Sequence, residues 1–330
     1  MTGNWVARHK TLAMSCILFA TIAFAIWWQF TSDIAAAHIR VATGSELLQT
    51  ACGQIEYAEA GTGVPLLAVH GSGGGYDQGM AFAAPLTMRG VRVIAMSRFG
   101  YLRTPMPADA SAETQADAFF CLMDALGIQK AAVMGGSAGA LSALQMAIRH
   151  PDRVSELILL VPLAFKPPTE ANSAAPMAPW VENLMMRAIG SDFLFWSGLH
   201  LARGQLTGTV LATPPTLLDA ASASEQVRIN AMMDNILPVS ARAAGLRHDT
   251  AAGKSMTPAR LDLVLAPTLI ISARDDRYGT YASAEYTASQ IAGARFIGFE
   301  TGGHTWVGQN DTVMNAIADL IAPTTERLAP

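Results

Sequence analysis

The chain has 330 residues, of which 51% are hydrophobic and 15% charged, and its formal net charge is -4. This apolar composition excludes an intrinsically disordered chain, and the length suffices for one large α/β core. No dense cluster of Lys and Arg is present, so nothing in the sequence indicates nucleic-acid binding.

An uncharged, nearly unbroken apolar segment lies close to the N-terminus, at residues 12–30. About 20 such residues are needed to cross the hydrocarbon core of a bilayer. We therefore predict a transmembrane signal-anchor over residues 11–31. Arg8 and Lys10 precede the segment, which by the positive-inside rule places residues 1–10 in the cytoplasm.

Residues 32–45 are more polar and are predicted to form a linker between this anchor and the rest of the chain. The alanines at 35–37 also fit a signal-peptidase site, so cleavage of the segment stays an alternative. In either case we expect an exported catalytic domain. It is anchored at the periplasmic or extracellular face of a membrane, or secreted if the segment is cleaved.

Beyond the linker, short apolar segments alternate with helical patterns. Strands are predicted at residues 65–69, 91–96, 131–134 and 154–161, and helices at 111–126 and 138–149. Buried apolar strands separated by helices are typical of a parallel sheet with helices on both faces.

This alternation stops after residue 162. No strand is predicted from 163 to 260, and the many Met and aromatic residues there favour a helical cap, or lid. The alternation then resumes with strands at 267–272 and 295–299 and helices at 281–291 and 311–321. The predicted hydrolase core therefore has two parts, 46–162 and 261–330, with the cap inserted between them.

A candidate nucleophile, Ser137, lies in the sequence Gly-Gly-Ser-Ala-Gly between a predicted strand and a predicted helix. A nucleophile elbow needs this context, because a sharp strand-to-helix turn exposes the serine hydroxyl. Neighbouring glycines, which lack Cβ, permit the close backbone approach that such a turn requires. An ordinary glycine-rich turn is the alternative.

A second glycine-rich segment, His-Gly-Ser-Gly-Gly-Gly at residues 70–75, follows the strand predicted at 65–69. This is where half of an oxyanion hole belongs. We assign the two backbone N–H donors to Ser72 and Ala138, with Gly73 as the substitute for Ser72. His70 is expected to be structural, and the sequence contains no phosphate-binding P-loop pattern.

His304 lies in a loop after the last predicted strand and is the best-placed histidine for a general base. Asp275 and Asp276 both follow the strand predicted at 267–272. Adjacent side chains point apart, so only one of the two carboxylates is expected to face the histidine. A carboxylate in that position fixes the imidazole tautomer and stabilises the imidazolium.

These segments, with Ser-Arg-Phe-Gly-Tyr-Leu-Arg-Thr-Pro at residues 97–105, resemble the α/β-hydrolase superfamily from residue 55 onward. The 70–75 loop looks most like those of esterases and of carbon–carbon bond hydrolases that cleave ring-fission products. In that superfamily the acid stands three residues after a glycine at the strand end. Ala273 replaces the glycine here, and the same count selects Asp276.

The resemblance and the residues together predict a serine hydrolase with a Ser137–His304–Asp276 triad, acting on a small, apolar carboxylic ester or related carbonyl substrate. Met185, Phe193 and Trp196 of the cap are candidates for substrate contact, although they could equally pack the cap onto the core. A carbon–carbon hydrolase, a peptidase, an acyltransferase and a non-catalytic membrane-anchored binding module are the alternatives.

The three cysteines are too few and too scattered for a disulfide framework or a zinc site. A single bridge between Cys52 and Cys121 is compatible with the sequence but is not indicated by it. No metal and no organic cofactor are implied, and the oligomeric state cannot be read from the sequence.

Overall fold

The computed structural model describes residues 3–167, 186–188 and 190–322. The core is one eight-stranded sheet in the order β1-β2-β4-β3-β5-β6-β7-β8. The strands are β1 Glu46–Thr50, β2 Gly53–Ala60, β3 Val64–Val69, β4 Val91–Met96, β5 Ala131–Gly136, β6 Val154–Leu160, β7 Thr268–Ala273 and β8 Arg295–Phe299.

The helices of the described residues fall into three groups. The N-terminal helix is α1 Gly3–Thr43. The core helices are α2 Tyr76–Ala83, α3 Ala112–Ala125, α4 Gly139–Arg149, α10 Thr280–Gln290 and α11 Asn310–Ile321. The cap helices are α5 Asp192–Leu201, α6 Arg203–Val210, α7 Pro215–Asp219, α8 Ala223–Asp234 and α9 Ala243–Lys254.

The sheet is parallel from β4 to β8, and β1 and β2 join it in antiparallel pairs. All six strands predicted from apolar segments are confirmed, with shifts of one or two residues at their ends. β1 and β2 were not predicted, because residues 46–60 mix exposed and buried positions and contain no continuous apolar segment.

The apolar core lies on both faces of this sheet. Successive residues of β3 point to opposite faces, so Leu66 packs in one apolar cluster and Leu67 in the other, both fully buried. This two-sided burial is why the central strands are almost continuously apolar. The parallel strands then bring their carboxyl ends to one edge of the sheet, where the candidate residues lie.

The cap is inserted between β6 and β7, as predicted, and its described residues contain no strand. Its apolar cluster includes Trp196, Leu199, Ile229 and Met233, together with Ala37 of α1 and Val307 of the loop after β8. The cap is therefore a helical layer whose apolar interior is shared with α1 and with that loop.

The N-terminal helix corrects the predicted linker. Residues 32–43 are not extended but form the last turns of α1, which is continuous from Gly3 to Thr43. This part of α1 packs against the cap, since Ala37 and Val41 are buried and the Trp196 indole N–H donates to Asp33 Oδ2 at 2.8 Å. The predicted linker is therefore, from residue 32 to 43, a helix docked on the cap.

Within the described residues, α1 alone is long and apolar enough to cross a membrane, with a mean hydropathy of 1.9 in its most apolar window. Side chains in that window, such as Phe19 and Trp28, are exposed, and none of the window is buried against the rest of the protein.

The second correction concerns the cysteines. Cys52 and Cys121 form a disulfide that joins the turn between β1 and β2 to helix α3. The sequence did not indicate this bridge because 69 positions separate the two residues, whose Cα atoms the fold brings to 5.9 Å. Cys16, in α1, is a free and exposed cysteine.

Candidate active site

Ser137 lies at the sharp turn between β5 and α4, where its backbone φ is 50°. A non-glycine residue in this left-handed region costs about 1–3 kcal/mol, so its surroundings must hold it there. Its N–H donates to the Leu160 carbonyl at 2.9 Å, and its own carbonyl accepts from the Leu163 N–H at 3.0 Å. Ser137 thus has the strained conformation expected of a nucleophile elbow.

The glycines around Ser137 are required by close contacts. A Cβ at Gly139 would lie 2.5 Å from the His70 carbonyl oxygen, and a Cβ at Gly135 would lie 2.7 Å from the Ala143 Cβ. Both distances are shorter than real Cβ contacts. Glycine at 139 therefore lets the elbow pack against the start of the 70–75 loop, and glycine at 135 lets β5 pack against α4.

His304 and Asp276 are brought together at the edge where β7 and β8 end. The His304 Nδ1 lies 2.8 Å from the Asp276 Oδ2. A carboxylate can only accept, so Nδ1 carries the ring proton, and Nε2 is left as the acceptor on the other side of the ring. This is the tautomer that a general base at a serine hydroxyl requires.

Asp276 is buried and ionised. Burial by itself raises the pKa of Asp276, but the hydrogen bond and charge of His304 act in the opposite direction. Further hydrogen bonds come from the Thr280 hydroxyl and from the Tyr278 N–H at 2.9 Å. Together these partners hold the pKa of Asp276 below its usual value.

Asp275 has a different partner from Asp276, as expected for neighbouring side chains. Its carboxylate accepts from the N–H of Gly302 at 3.3 Å and from the N–H of Gly303 at 2.8 Å. Asp275 therefore anchors the backbone of the loop that carries His304.

The glycine-rich loop at residues 70–75 packs beside the elbow. The N–H of Gly73 donates to the Tyr101 hydroxyl at 3.2 Å. By contrast, the N–H groups of Ser72 and Ala138 make no hydrogen bond to any described residue. Of the three predicted oxyanion donors, Ser72 and Ala138 are available, whereas Gly73 already has an acceptor.

Comparison with known proteins identifies the family of the chain. The model of the α/β-hydrolase fold family matches residues 64–310. The chain belongs to this family. The α/β-hydrolase fold protein from Nakamurella multipartita superposes with a TM-score of 0.67 at 28% identity, covering 84% of this chain and 98% of that one.

Two curated relatives are hydrolases. The 2-hydroxy-6-oxononadienedioate/2-hydroxy-6-oxononatrienedioate hydrolase 1 of Dechloromonas aromatica (strain RCB) is 30% identical over 248 residues, 68% of this chain and 75% of the relative. The 2-hydroxymuconate semialdehyde hydrolase of Pseudomonas sp. (strain CF600) is 38% identical over 106 residues. That match covers 31% of this chain and only 38% of the relative's length.

The cap of this α/β-hydrolase holds the glycine-rich loop through Asp249 of α9. The Asp249 carboxylate pairs with the Arg98 guanidinium at 2.9 and 2.5 Å and accepts from Tyr101 Oη at 2.6 Å and Ser72 Oγ at 2.9 Å. Burial raises the pKa of Asp249, but the charge and hydrogen bonds of Arg98 bring it below its usual value. A buried ion pair thus joins the cap to the predicted oxyanion loop.

The cap also holds the His304 loop, through α8. The Arg228 guanidinium donates to the Thr305 carbonyl at 2.8 Å and pairs with Glu225, which accepts from the Gly308 N–H at 3.0 Å. The hydroxyls of Thr213 and Thr305 add a contact at 2.9 Å. The backbone on the C-terminal side of His304 is therefore fixed by cap residues.

His70 is structural, as expected. Its Nε2 accepts from the Arg98 N–H at 2.9 Å, so Nδ1 carries the proton and donates to the Gly71 carbonyl at 2.7 Å. Burial, and then the charge of Arg98, lower the pKa of His70 to about 3. The ring is therefore neutral at physiological pH and does not serve as a proton acceptor.

The predicted substrate contacts in the cap have other neighbours. The Phe193 and Trp196 rings pack on Phe30 of α1, with ring centroids 5.1 and 5.6 Å away. Phe193 and Trp196 therefore pack the cap against another part of the protein, as the alternative to substrate contact proposed, but their partner is α1. Met185 lies outside the described residues.

Two cavities lie near the elbow helix α4. One of about 40 Å³ is lined by Ala138, Leu141 and Asp249. A larger one of about 310 Å³ adjoins it at Leu141 and is lined mainly by apolar atoms, from residues such as Phe165 and Met256. The larger cavity has room for a small apolar group beside α4.

The sequence reasoning missed Arg98, Asp249, Glu225 and Arg228. For Arg98 a signal existed, because it follows β4 at the sheet edge where the other candidates were placed. For the cap residues no signal existed, since charges on amphipathic helices are usually solvated. Glu225 and Arg228 also pair with each other three positions apart, but the contacts that join these residues to the core span 77 or more positions in sequence.

We predict that Asp249→Ala destabilises the protein by about 3–5 kcal/mol, because it leaves the Arg98 charge buried without its partner. Because the folded pKa of Asp249 is depressed, its stabilising effect is full at pH 7 and declines as the pH falls below about 4. Denaturant unfolding of wild type and Asp249→Ala at several pH values measures the difference in their free energies of unfolding.

Asp262→Ala is the matched control, since Asp262 also pairs with an arginine through two hydrogen bonds, but at the exposed surface. It should leave the free energy of unfolding almost unchanged. Equal effects of the two substitutions would contradict a buried ion pair at Asp249.

Proposed function

We propose that this α/β-hydrolase is a serine hydrolase that cleaves a small, apolar carboxylic ester through a covalent acyl-enzyme. The observation that carries the proposal is the 2.8 Å contact between His304 Nδ1 and Asp276 Oδ2. It lies at the sheet edge that also holds the left-handed turn at Ser137. A serine on a strained turn and a carboxylate-oriented histidine are the parts that acyl transfer requires.

In the first half of the reaction, His304 Nε2 accepts the hydroxyl proton of Ser137 while Oγ bonds to the carbonyl carbon. The carbonyl oxygen becomes an oxyanion, and the N–H groups of Ser72 and Ala138 are the donors available to it. Collapse of this intermediate breaks the ester bond, and His304 returns the proton to the leaving alcohol.

In the second half, His304 takes a proton from a water molecule that attacks the acyl-enzyme carbonyl. The second tetrahedral intermediate releases the carboxylic acid, and the proton on His304 returns to Ser137. Asp276 keeps its charge throughout and stabilises the imidazolium formed in each half.

A second candidate function is hydrolysis of a carbon–carbon bond in a hydroxy-oxo acid. The names of the curated relatives favour it, since one that is 30% identical over 248 residues is a 2-hydroxy-6-oxononadienedioate hydrolase. The same fold and residues would serve both reactions. Comparing the turnover of p-nitrophenyl esters with the turnover of such a hydroxy-oxo acid distinguishes ester hydrolysis from carbon–carbon bond hydrolysis.

We predict that Ser137→Ala abolishes labelling by a fluorophosphonate probe and lowers turnover by at least about 10⁴-fold, because the variant has no nucleophile. Labelling is read on a gel and turnover with both substrate classes. Ser142→Ala changes a buried serine on α4, the helix that follows Ser137, and as the control it should retain labelling. Undiminished turnover in Ser137→Ala would refute the proposed mechanism.

We further expect Asp276→Asn to lower kcat by about 10⁴-fold, because an amide favours the wrong histidine tautomer. Asp275→Asn keeps one acceptor oxygen for the Gly303 N–H and should cost about tenfold or less. Both are measured on one ester, with thermal unfolding as a check of folding. The reverse order of effects would show that Asp275 is the acid.

We also propose that α1 anchors the protein in a membrane with the hydrolase core on the oxidising side, periplasmic or extracellular. The exposed apolar side chains of α1 and the preceding Arg8 and Lys10 support this orientation. The disulfide between Cys52 and Cys121 supports it independently, because such bonds persist mainly in oxidising compartments.

This orientation predicts the state of the cysteines in cells. Free thiols are blocked with N-ethylmaleimide in permeabilised cells, and the protein is then denatured, reduced and treated with polyethylene-glycol maleimide. Wild type should gain two labels, at Cys52 and Cys121, and Cys121→Ser should gain none, because its Cys52 is blocked at the start. A wild-type protein without labels would place the core in a reducing compartment.

A further inference from the structure

The last turn of α1 reaches the segment that follows the glycine-rich loop. The Arg40 guanidinium donates to Asp77 Oδ2 at 3.0 Å and to the Leu237 carbonyl at 2.5 Å. The Tyr76 hydroxyl donates to the Val41 carbonyl at 3.0 Å. Helix α1 is thus bound to the first turn of α2 and to the cap segment after α8.

Asp77 is the centre of these contacts. Besides Arg40, it pairs with Arg242 of the cap through two hydrogen bonds, at 3.0 and 2.7 Å. Burial raises the pKa of Asp77, but the charges of Arg242 and Arg40 bring it below its usual value. The carboxylate is therefore ionised and shared between two guanidinium groups from different parts of the chain.

Arg242 continues the connection into the glycine-rich loop. Its side chain is almost fully buried, and its guanidinium donates to the Gly74 carbonyl at 2.7 Å. Gly74 is two residues from Ser72, the proposed oxyanion donor. A continuous series of charged hydrogen bonds thus runs from Arg40 through Asp77 and Arg242 to the loop that carries this donor.

We propose that Arg40 is a positioning residue for the oxyanion hole, so that the N-terminal helix forms part of the support of the active site. The proposal rests on the function proposed above for Ser72 and Ser137. Arg40 fixes one oxygen of Asp77, Asp77 fixes the Arg242 fork, and Arg242 fixes the Gly74 carbonyl. Without Arg40, Asp77 and Arg242 can shift together, and the Ser72 N–H moves with the loop.

The expected loss of kcat on replacing Arg40 follows from the contribution of a single oxyanion-hole donor. Removing one oxyanion-hole donor costs about 10²–10³-fold in kcat. Loss of Arg40 acts on such a donor only indirectly, through Asp77 and Arg242. We therefore expect kcat to fall by about tenfold. Because the oxyanion forms only in the transition state, KM should change little.

The test uses the full-length protein in detergent and the variant Arg40→Met, which keeps an unbranched apolar stem and removes the charge and the hydrogen-bond donors of the guanidinium. Active sites are counted by fluorophosphonate titration, so that unfolded protein does not count as slow enzyme. The measurements are kcat and KM on one p-nitrophenyl ester, the affinity for a boronic acid as transition-state analogue, and thermal unfolding.

We expect kcat and the boronic acid affinity to fall together by about tenfold, with KM within about twofold of wild type. Arg92→Met is the matched control, because Arg92 also pairs with a carboxylate, Glu59. Arg92 lies near the start of β4, at the opposite end of the strand from the site. This control should match wild type in all of these measurements. Unchanged kcat and boronic acid affinity per active site in Arg40→Met would overturn the proposal, even if the variant is less stable.

A second variant, Arg40→Lys, keeps the test decisive if Arg40→Met does not fold. One ammonium group cannot hold both Asp77 and the Leu237 carbonyl as the planar fork does, so kcat should fall by about threefold. Wild-type kcat in Arg40→Lys, with Arg40→Met unfolded, would also overturn the proposal. Absence of probe labelling in wild type would instead refute the proposed function itself.

Discussion

The left-handed backbone at Ser137 is the constraint on which the rest of the site depends. It is unfavourable for a residue with a Cβ and persists because hydrogen bonds from β6 and the following loop hold both peptide groups of Ser137. The parallel strands then end at the same edge, which brings the 70–75 loop, Asp276 and His304 to one place. A relaxed elbow would also disturb the start of the 70–75 loop, because Gly139 lies against the backbone of His70.

Buried carboxylates extend this constraint into the cap. Asp249 and Asp77 each lie where an unpaired charge would be costly, and each is neutralised by an arginine from another segment of the chain. Moving the cap away from the core would separate these pairs. The cap of this α/β-hydrolase-fold protein is therefore a fixed layer at the Asp249 and Asp77 contacts, and it supports the glycine-rich loop and the His304 loop.

The sequence was sufficient for the parts that depend on local pattern. Strands buried on both faces are apolar throughout, and the motif around Ser137 and the position of His304 follow from strand order. Residues 32–43 were assigned to a linker because Ser32, Asp33 and His38 interrupt the apolar segment, yet their helix is stabilised by distant partners such as Trp196. The roles of Asp249 and Arg228 depend in the same way on residues far apart in sequence, which no local pattern encodes.

The continuity of α1 also determines how far Arg40 lies above the apolar segment of the helix. From Phe30, where the apolar segment ends, to Arg40, beside the glycine-rich loop, an upright helix rises about 15 Å at 1.5 Å per residue. The polar headgroup layer on each side of a bilayer is thinner, about 5–8 Å. With the apolar segment in a membrane and α1 upright, Arg40 therefore lies above the headgroups in the aqueous layer, together with Asp77 and the cap segment that it contacts. A dissolved ester reaches that level by diffusion alone, whereas a bilayer lipid would have to be lifted out of its leaflet.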